Sequence, residues 1–290
     1  MDLLRQSTPL IEQVSIDEAF LEISDLSETG EVVARMIQKR INQEIGLPCS
    51  IGVASNKLVA KIANDVGKSS HINDTPPNAI TSVLPGSEME FLNPLPVERL
   101  WGVGPKTARR LETLSVRTIG DLVTIPEAEL VRLFGKNGRL LSLHARGIDD
   151  SPITTKHEIK SVSCETTFIL DIKDAKIIDA ALRELSVRVG ERLRKERLSG
   201  TIVRIKIRWP NFTTITRQTK LGLSVNRDEE LYLVARRLLD NNWKEGLAIR
   251  LLGVGVSGLE EEKNHQLRLW ESYTQSSSNP PGQTNIRHEI

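Results

Sequence analysis

Val14-Ser15-Ile16-Asp17-Glu18-Ala19-Phe20-Leu21-Glu22-Ile23 sets two adjacent carboxylates inside a run that otherwise has the β-branched and aromatic character of strand. An ideal strand sends neighbouring side chains to opposite faces, so Asp17 and Glu18 point one way only if two short strands meet at a turn or bulge near Ile16. Where they do, two or three carboxylates can hold a pair of Mg²⁺ ions roughly 3.5–4 Å apart, which stabilises both the attacking and the leaving oxygen in phosphoryl transfer. The plain alternative is a turn carrying two solvated acids, since Asp is a common turn residue. The residues alone leave both readings open.

Outward from this stretch, Val33, Ile37, Ile41 and Ile45 recur at four-residue spacing and predict a helix over 28–45, closed by Gly46. Cys49 to Ala54 reads as a short buried strand, and Ser55 or Asn56 can cap a following helix whose Leu58, Val59, Ile62 and Val66 face inward. Lys57 and Lys61 lie one turn apart on that helix, where they either share a functional surface or are ordinary solvated lysines. A strand over 78–84 and the linker Asn93-Pro94-Leu95-Pro96 put a domain boundary near Leu92.

The stretch Val97-Glu98-Arg99-Leu100-Trp101-Gly102-Val103-Gly104-Pro105-Lys106-Thr107-Ala108 resembles a helix-hairpin-helix element. Gly102 and Gly104 permit a tight hairpin that brings backbone amides to the surface, and Pro105 opens the next helix, whose N-terminus favours a phosphate. With Lys106, Arg109 and Arg110 beside it, this reads as a DNA-backbone contact through Gly102, Val103, Gly104 and Lys106; the alternative is a plain connection in a small helical bundle. Helices carrying Leu130, Leu133, Phe134, Leu140, Leu141 and Leu143 would close the bundle around Gly135 and Gly138. Residues 148–157 lack periodicity and read as an exposed tether.

From Lys160 the pattern is strand, helix (174–196), two strands, helix (227–243), strand (249–257), the split β-α-β-β-α-β order with two helices on one face of a four-stranded sheet. Val203, Ile205, Ile207 and Trp209 alternate with Arg204, Lys206 and Arg208, so the apolar set is expected against the helices and the basic set on the open face at intervals of about 6.6 Å. Such a stripe is a solvated face or a phosphate-binding one. The second is favoured because no acid interrupts it and because 156–220 holds 15 basic and 8 acidic residues within a chain of formal charge +1.

Ser15-Ile16-Asp17-Glu18-Ala19-Phe20-Leu21 and Ser50-Ile51-Gly52-Val53-Ala54-Ser55-Asn56-Lys57-Leu58-Val59-Ala60-Lys61-Ile62-Ala63 together resemble two motifs of the Y-family, or translesion, DNA polymerases, and the similarity extends to about Leu259. The resemblance implies an α+β fold: a partial palm domain (1–92), an all-α helix-hairpin-helix thumb (93–150), a linker (151–159) and a β-α-β-β-α-β little-finger domain (160–259), while the Ser-, Asn- and Gln-rich composition from Thr274 leads us to expect a disordered tail (260–290). It implies Asp17 and Glu18 as the catalytic metal ligands, Mg²⁺ as the cofactor, Lys68 as a contact to the nucleotide triphosphate, and primer-template DNA and a dNTP as partners. Family members begin with a strand bearing a further metal-binding Asp and an aromatic steric gate, followed by a fingers segment. Nothing before Thr8 supplies these, so the expectation is a truncated polymerase with little activity by itself, and the alternative a non-catalytic DNA- and clamp-binding protein. A nuclease or structural protein that carries a helix-hairpin-helix fits the hairpin but neither palm motif. In the tail, Gln266-Leu267-Arg268-Leu269-Trp270 resembles the peptide by which bacterial polymerases bind the sliding clamp, with Gln266 as polar anchor and Leu267, Leu269 and Trp270 for an apolar pocket.

Cys49 and Cys164 have no ligand spacing and read as small buried hydrophobes, excluding a disulfide framework or a zinc site. No signal peptide and no apolar run of about 18 residues is present, which points to a soluble, cytoplasmic protein, expected as a monomer.

Overall fold

The computed structural model describes residues 1–69, 76–156 and 158–261. The chain divides into two compact units, 1–157 and 158–290.

The first unit opens with a short helix α1 (Asp2–Arg5) and the hairpin β1 (Ile11–Gln13) and β2 (Ala19–Leu21), paired antiparallel with Glu12 opposite Phe20. Helix α2 (Gly30–Glu44) follows, then β3 (Ile51–Val53), α3 (Lys57–Ser69) and β4 (Ile80–Ser82), which runs parallel to β3. Val33 and Ile37 of the predicted stripe are buried, and Gly46 ends α2 with φ of +72°. Ile45 leaves the stripe: it is the helix's C-terminal cap residue and is exposed, because the last turn has run past the strands it covers. Asn56 Oδ1 accepts from the Val59 amide at 3.0 Å and so provides the expected cap of α3. Leu58, Val59 and Ile62 are fully buried on that helix's inner face. Strand β3 is only half-buried, contrary to expectation, because one of its edges borders an open groove.

Helix α4 (Glu88–Leu92) leads through a 3-10 turn (Val97–Arg99) to α5 (Pro105–Glu112), α6 (Ile119–Thr124), α7 (Glu127–Phe134) and α8 (Lys136–Ala145). Thr118 and Asp121 close a reciprocal capping box on α6. Gly138 lets α8 lie on α7, since a Cβ there would meet the Leu130 carbonyl oxygen at 2.0 Å. Leu92, where the sequence sets a boundary, is wholly buried in one core that runs from Leu58 on α3 to Ala145 on α8, so the strands and the helical bundle form one unit.

The second unit is the expected split βαβ: β5 (Ser161–Ile172), α9 (Ala175–Lys195), β6 (Leu198–Arg208), β7 (Thr214–Val225), α10 (Asp228–Asp240) and β8 (Ile249–Glu261), in the sheet order β5-β8-β6-β7. Val203, Ile205 and Ile207 pack with Leu182, Leu185 and Leu193 of α9 and Leu231 and Leu239 of α10. The last strand is longer than predicted: Glu261 still pairs with Leu198, so β8 runs on into what reads in sequence as the tail. Neither cysteine is fully buried, and both are free thiols.

The tether is irregular and largely exposed, as expected, but hydrogen bonds pin it to the first unit. Asp149 Oδ2 accepts from the Leu58 amide at 3.2 Å, Asn56 Nδ2 donates to the Gly147 carbonyl at 2.8 Å, and Glu12 Oε2 accepts from the Thr154 amide at 2.9 Å. The same Glu12 oxygen pairs with Lys57 Nζ at 2.8 Å, and Lys57 also donates to the Pro152 carbonyl at 2.8 Å. With both side chains only 12% exposed, this ion pair holds 152–154 against the β1 hairpin, and Lys57 is a structural clasp rather than a surface lysine. Removing one partner strands a poorly hydrated charge. We therefore expect Glu12→Gln or Lys57→Met each to cost about 2 kcal/mol, discounted from the cost of a fully buried pair, and the double variant to cost less than the sum. Denaturant unfolding of the 1–157 unit and amide exchange at Thr154 measure it; additive costs with unchanged exchange would exclude the clasp.

Candidate functional site

The β1–β2 turn brings the two carboxylates together by hydrogen bonding within five residues. The amides of Val14 and Ser15 both donate to the Glu18 carbonyl, and Ser15 Oγ accepts from the amides of Asp17 and Glu18. Ile16 stands 94% exposed at the tip, so the apolar residue is given up to solvent, with Asp17 exposed beside it and Glu18 half-buried. Ser15 Oγ donates to Asp17 Oδ1 at 2.6 Å, and this hydrogen bond holds the Asp17 carboxyl below its ordinary range. Glu18 is lowered chiefly by the hydrogen bond from Lys61, with Lys68 adding charge. Burial opposes the Lys61 ammonium, but the hydrogen bond and charge of Glu18, with Asp65, outweigh it and raise Lys61. At neutral pH both acids are therefore anions and Lys61 is a cation.

The acids stand at a groove of about 530 Å³ that lies between the β1–β2 hairpin and the β3–β4 pair. Its walls include Phe20, Ile51 and Val53, its lining includes Val33, Ala34 and Ile37 of α2, and Asp17, Glu18, Lys61 and Lys68 border it together with Trp101. Trp101 reaches it from the helical bundle, its ring 5.9 Å from that of Phe20. Among the described residues β2 pairs only with β1 and β3 only with β4, so each strand keeps a free edge. Asn64, also in the lining, has a buried Oδ1 without a hydrogen-bond partner. Cys49 lies here too, its thiol pushed up by burial and so neutral. Lys57 and Lys61, for which the sequence leaves a shared functional surface and plain solvation both open, turn to the same hairpin but to different acids: the first serves Glu12 and the second Glu18.

The donor chemistry fits a divalent cation. Asp17 and Glu18 are adjacent, anionic and partly solvated hard oxygens, and Mg²⁺ commonly takes one or two protein carboxylates, completing its shell with water and phosphate oxygens. Among the described residues no cluster of three or more His, Cys, Asp or Glu forms a full protein cage.

The hairpin from Leu100 to Pro105 has the expected geometry. Gly102 adopts φ of +97°, the Val103 amide donates to the Leu100 carbonyl at 2.9 Å, and Pro105 is the first residue of α5. Val103, expected as a backbone contact, is instead buried with its amide spent on Leu100, while Gly102, Gly104 and Lys106 are exposed. The amides that begin α5 have no intrahelical partner and give the helix end its positive pole.

In the second unit Arg204, Lys206 and Arg208 lie on the open face, opposite Gln218, Thr216 and Thr214 of β7. Lys220 joins that face opposite Ile202, whereas Arg217 registers with the core residue Ile205 and bonds Asn242 Oδ1 at 3.1 Å. Contrary to the uninterrupted basic face expected from β6, Glu165 of β5 reaches Lys206 at 2.8 Å. The pair crosses β8 at Gly253, which registers with both residues and leaves no side chain between them. The absence of acids along β6 thus does not carry across the sheet. Glu12, Trp101 and Glu165 are the residues to which the sequence assigned no role. Only for Glu12 was a signal present, as an acid inside an apolar strand.

Gln266, Leu267, Leu269 and Trp270 lie outside the described residues. Among the described residues no helix is long and apolar enough to cross a membrane.

Three family models match the chain: the impB/mucB/samB family over residues 1–65, the IMS family HHH motif over 85–115 and the impB/mucB/samB family C-terminal domain over 159–269. Among solved structures, a Y-family DNA polymerase chimera, Dbh-Dpo4(243-245)-Dbh, superposes with a TM-score of 0.75 at 24% identity, covering 90% of this chain and 74% of that one. The insertion ternary complex of Dbh DNA polymerase superposes with a TM-score of 0.57. The fold is thus the mixed α+β fold of a Y-family DNA polymerase. DNA polymerase IV of Desulfatibacillum aliphaticivorans is 37% identical over 261 residues, 89% of this chain and 64% of that protein; that of Clostridium kluyveri is 36% identical over 287 residues, 96% of this chain and 70% of that protein. The chain belongs to the impB/mucB/samB family, as a homologue of DNA polymerase IV, and spans just under two thirds of the first of these relatives.

Proposed function

We propose that the chain works in template-directed nucleotidyl transfer, with Asp17 and Glu18 as ligands of Mg²⁺, Lys68 as a contact to the phosphates of a dNTP, and primer-template DNA as the substrate. The observation that carries this is the hairpin turn that fixes two ionised carboxylates side by side with two lysines at an open groove. Bound there, Mg²⁺ would neutralise charge on the phosphate oxygens during attack by a primer 3′-hydroxyl. Ser15 orients Asp17, and Lys61 and Lys68 set the cationic side of the site. In this reading residues 1–92 are part of a palm, 93–150 a thumb, 151–159 a linker, 160–259 a little finger and 260–290 a tail.

DNA would be held without reading bases, by the hairpin at Gly102 and Gly104 with the first free amides of α5 at Lys106 and Thr107, and by the open sheet face. Each cation removed from a phosphate should reduce the log–log slope of binding against salt by about one unit. The ion pair to Glu165 refines this: Arg204→Ala and Arg208→Ala should each flatten the slope by about one, and Lys206→Ala by less, because its charge is already partly offset. Fluorescence anisotropy of a labelled primer-template across a salt series measures the slopes; an unchanged slope in the triple variant would remove the sheet face from the interface.

Two carboxylates are one short of the set that two-metal transfer uses, and an extended segment carrying a third, laid along the free edge of β2 or β3, would complete it. The 290-residue chain alone is expected to add nucleotides at a very low rate, and fusion of the family's amino-terminal strand and fingers segment in frame to raise it. In the fused protein Asp17→Asn or Glu18→Gln should abolish primer extension and leave DNA affinity within about twofold. Efficient extension by the unfused chain, or by both fused variants, would defeat the proposal. A non-catalytic DNA- and clamp-binding role is the second reading, favoured by the internal pairing of Glu18 with Lys61.

Gln266 to Trp270 is proposed as a tethered ligand of the replicative sliding clamp. Truncating Leu269 or Trp270 to Ala should weaken binding by about five- to thirtyfold, with Arg268→Ala nearly neutral. Calorimetry with a peptide spanning Lys263 to Tyr273 and the clamp of the same organism reads this directly, and no heat of binding at tens of micromolar would exclude it.

A further inference from the structure

Lys61 is turned toward a carboxylate that the proposed chemistry needs. Its Nζ lies 2.5 Å from Glu18 Oε1 and 3.5 Å from Asp65 Oδ1, and Lys68 Nζ lies 3.7 Å from the same Glu18 oxygen. Residues 61, 65 and 68 recur at helical spacing, so α3 presents an ammonium, a carboxylate and a second ammonium along one stripe facing the turn. The contact is sheltered, with the Lys61 and Glu18 side chains 21% and 32% exposed. Lys57 is fully committed elsewhere, to Glu12 and the Pro152 carbonyl, and does not share the load.

A divalent cation taking Glu18 as ligand would sit within a few ångströms of this ammonium, and two cations that close in a partly sheltered site repel strongly. We infer that Lys61 is a positioning residue which holds Glu18 by standing in for a cation, and that a divalent ion binds at Asp17 and Glu18 in competition with it, Asp65 being the carboxylate that receives the released ammonium. The inference rests on the reading of Asp17 and Glu18 as metal ligands. It makes metal affinity a property set by α3 as well as by the turn.

The test is Mn²⁺ binding to the full chain without DNA or nucleotide, followed by electron paramagnetic resonance of free Mn²⁺. Lys61→Met should bind Mn²⁺ about three- to tenfold more tightly than the parent, the size expected for removing one nearby charge in a partly solvated site. Lys61→Arg, which keeps the charge, should stay within about twofold. The gain should vanish when Lys61→Met is combined with Glu18→Gln. As an independent readout in the unsubstituted chain, Mg²⁺ should shift the Lys61 Cε resonance, and should not do so in Glu18→Gln. Equal or weaker Mn²⁺ binding by Lys61→Met, or a Lys61 resonance blind to Mg²⁺, overturns the competition while leaving the ligands in place. Mn²⁺ affinity unaffected by Asp17→Asn with Glu18→Gln overturns the ligand assignment itself, and this inference with it.

Discussion

The site depends on the close approach of α3 to β3 at Gly52. A Cβ there would meet the Ala60 carbonyl oxygen at 1.9 Å and the Asn64 amide nitrogen at 2.6 Å, so the helix backbone rests directly on the strand. No side chain larger than hydrogen is compatible with that distance. The approach puts Leu58, Val59, Ile62 and Ala63 into the core and leaves Lys57, Lys61 and Lys68 on the side that faces the hairpin. Both carboxylates that matter beyond Asp17 are answered from this one helix, Glu12 by Lys57 and Glu18 by Lys61.

That arrangement splits two similar ion pairs into different tasks. Glu12–Lys57 is 12% exposed on both sides and bonded to backbone at 152 and 154, so it acts as a fastener for the chain leaving the first unit. Glu18–Lys61 is more open, borders the groove and has further charged neighbours in Asp17, Asp65 and Lys68. An ion pair with alternatives at hand can exchange partners, whereas a desolvated pair bonded to backbone cannot do so without large cost. The same contrast applies in the second unit, where Lys206 is engaged by Glu165 in a partly solvated contact of small intrinsic worth. Strong clasps keep the scaffold and weak pairs stand where phosphate or metal would arrive.

Much of this is legible in residue order. The turn at Ile16, the cap at Asn56, the hairpin at Gly102 and the alternation along β6 are local or periodic features, decided by hydrogen bonds and side-chain directions within a few residues. The tether is irregular and largely exposed but is pinned at three points, because the partners of 149–154 lie on α3 and β1, far back in the chain, and nothing near Pro152 announces them. Around Leu92 the linker prolines mark a turn, but the side chains on either side of it enter one core, so the packing there is continuous.

The sequence by itself determined the family, the α+β class, the adjacency of Asp17 and Glu18 along the chain and the basic stripe of β6, since each is written in motif or period. Tertiary structure alone decided which lysine answers which carboxylate, that Glu165 reaches Lys206 across a glycine, and that, among the described residues, strand edges without a partner border the carboxylates. Spacing along a helix says which side chains share a face but not what the face meets. That partner is set by how helix and strand pack, and a glycine without side chain or charge set it here.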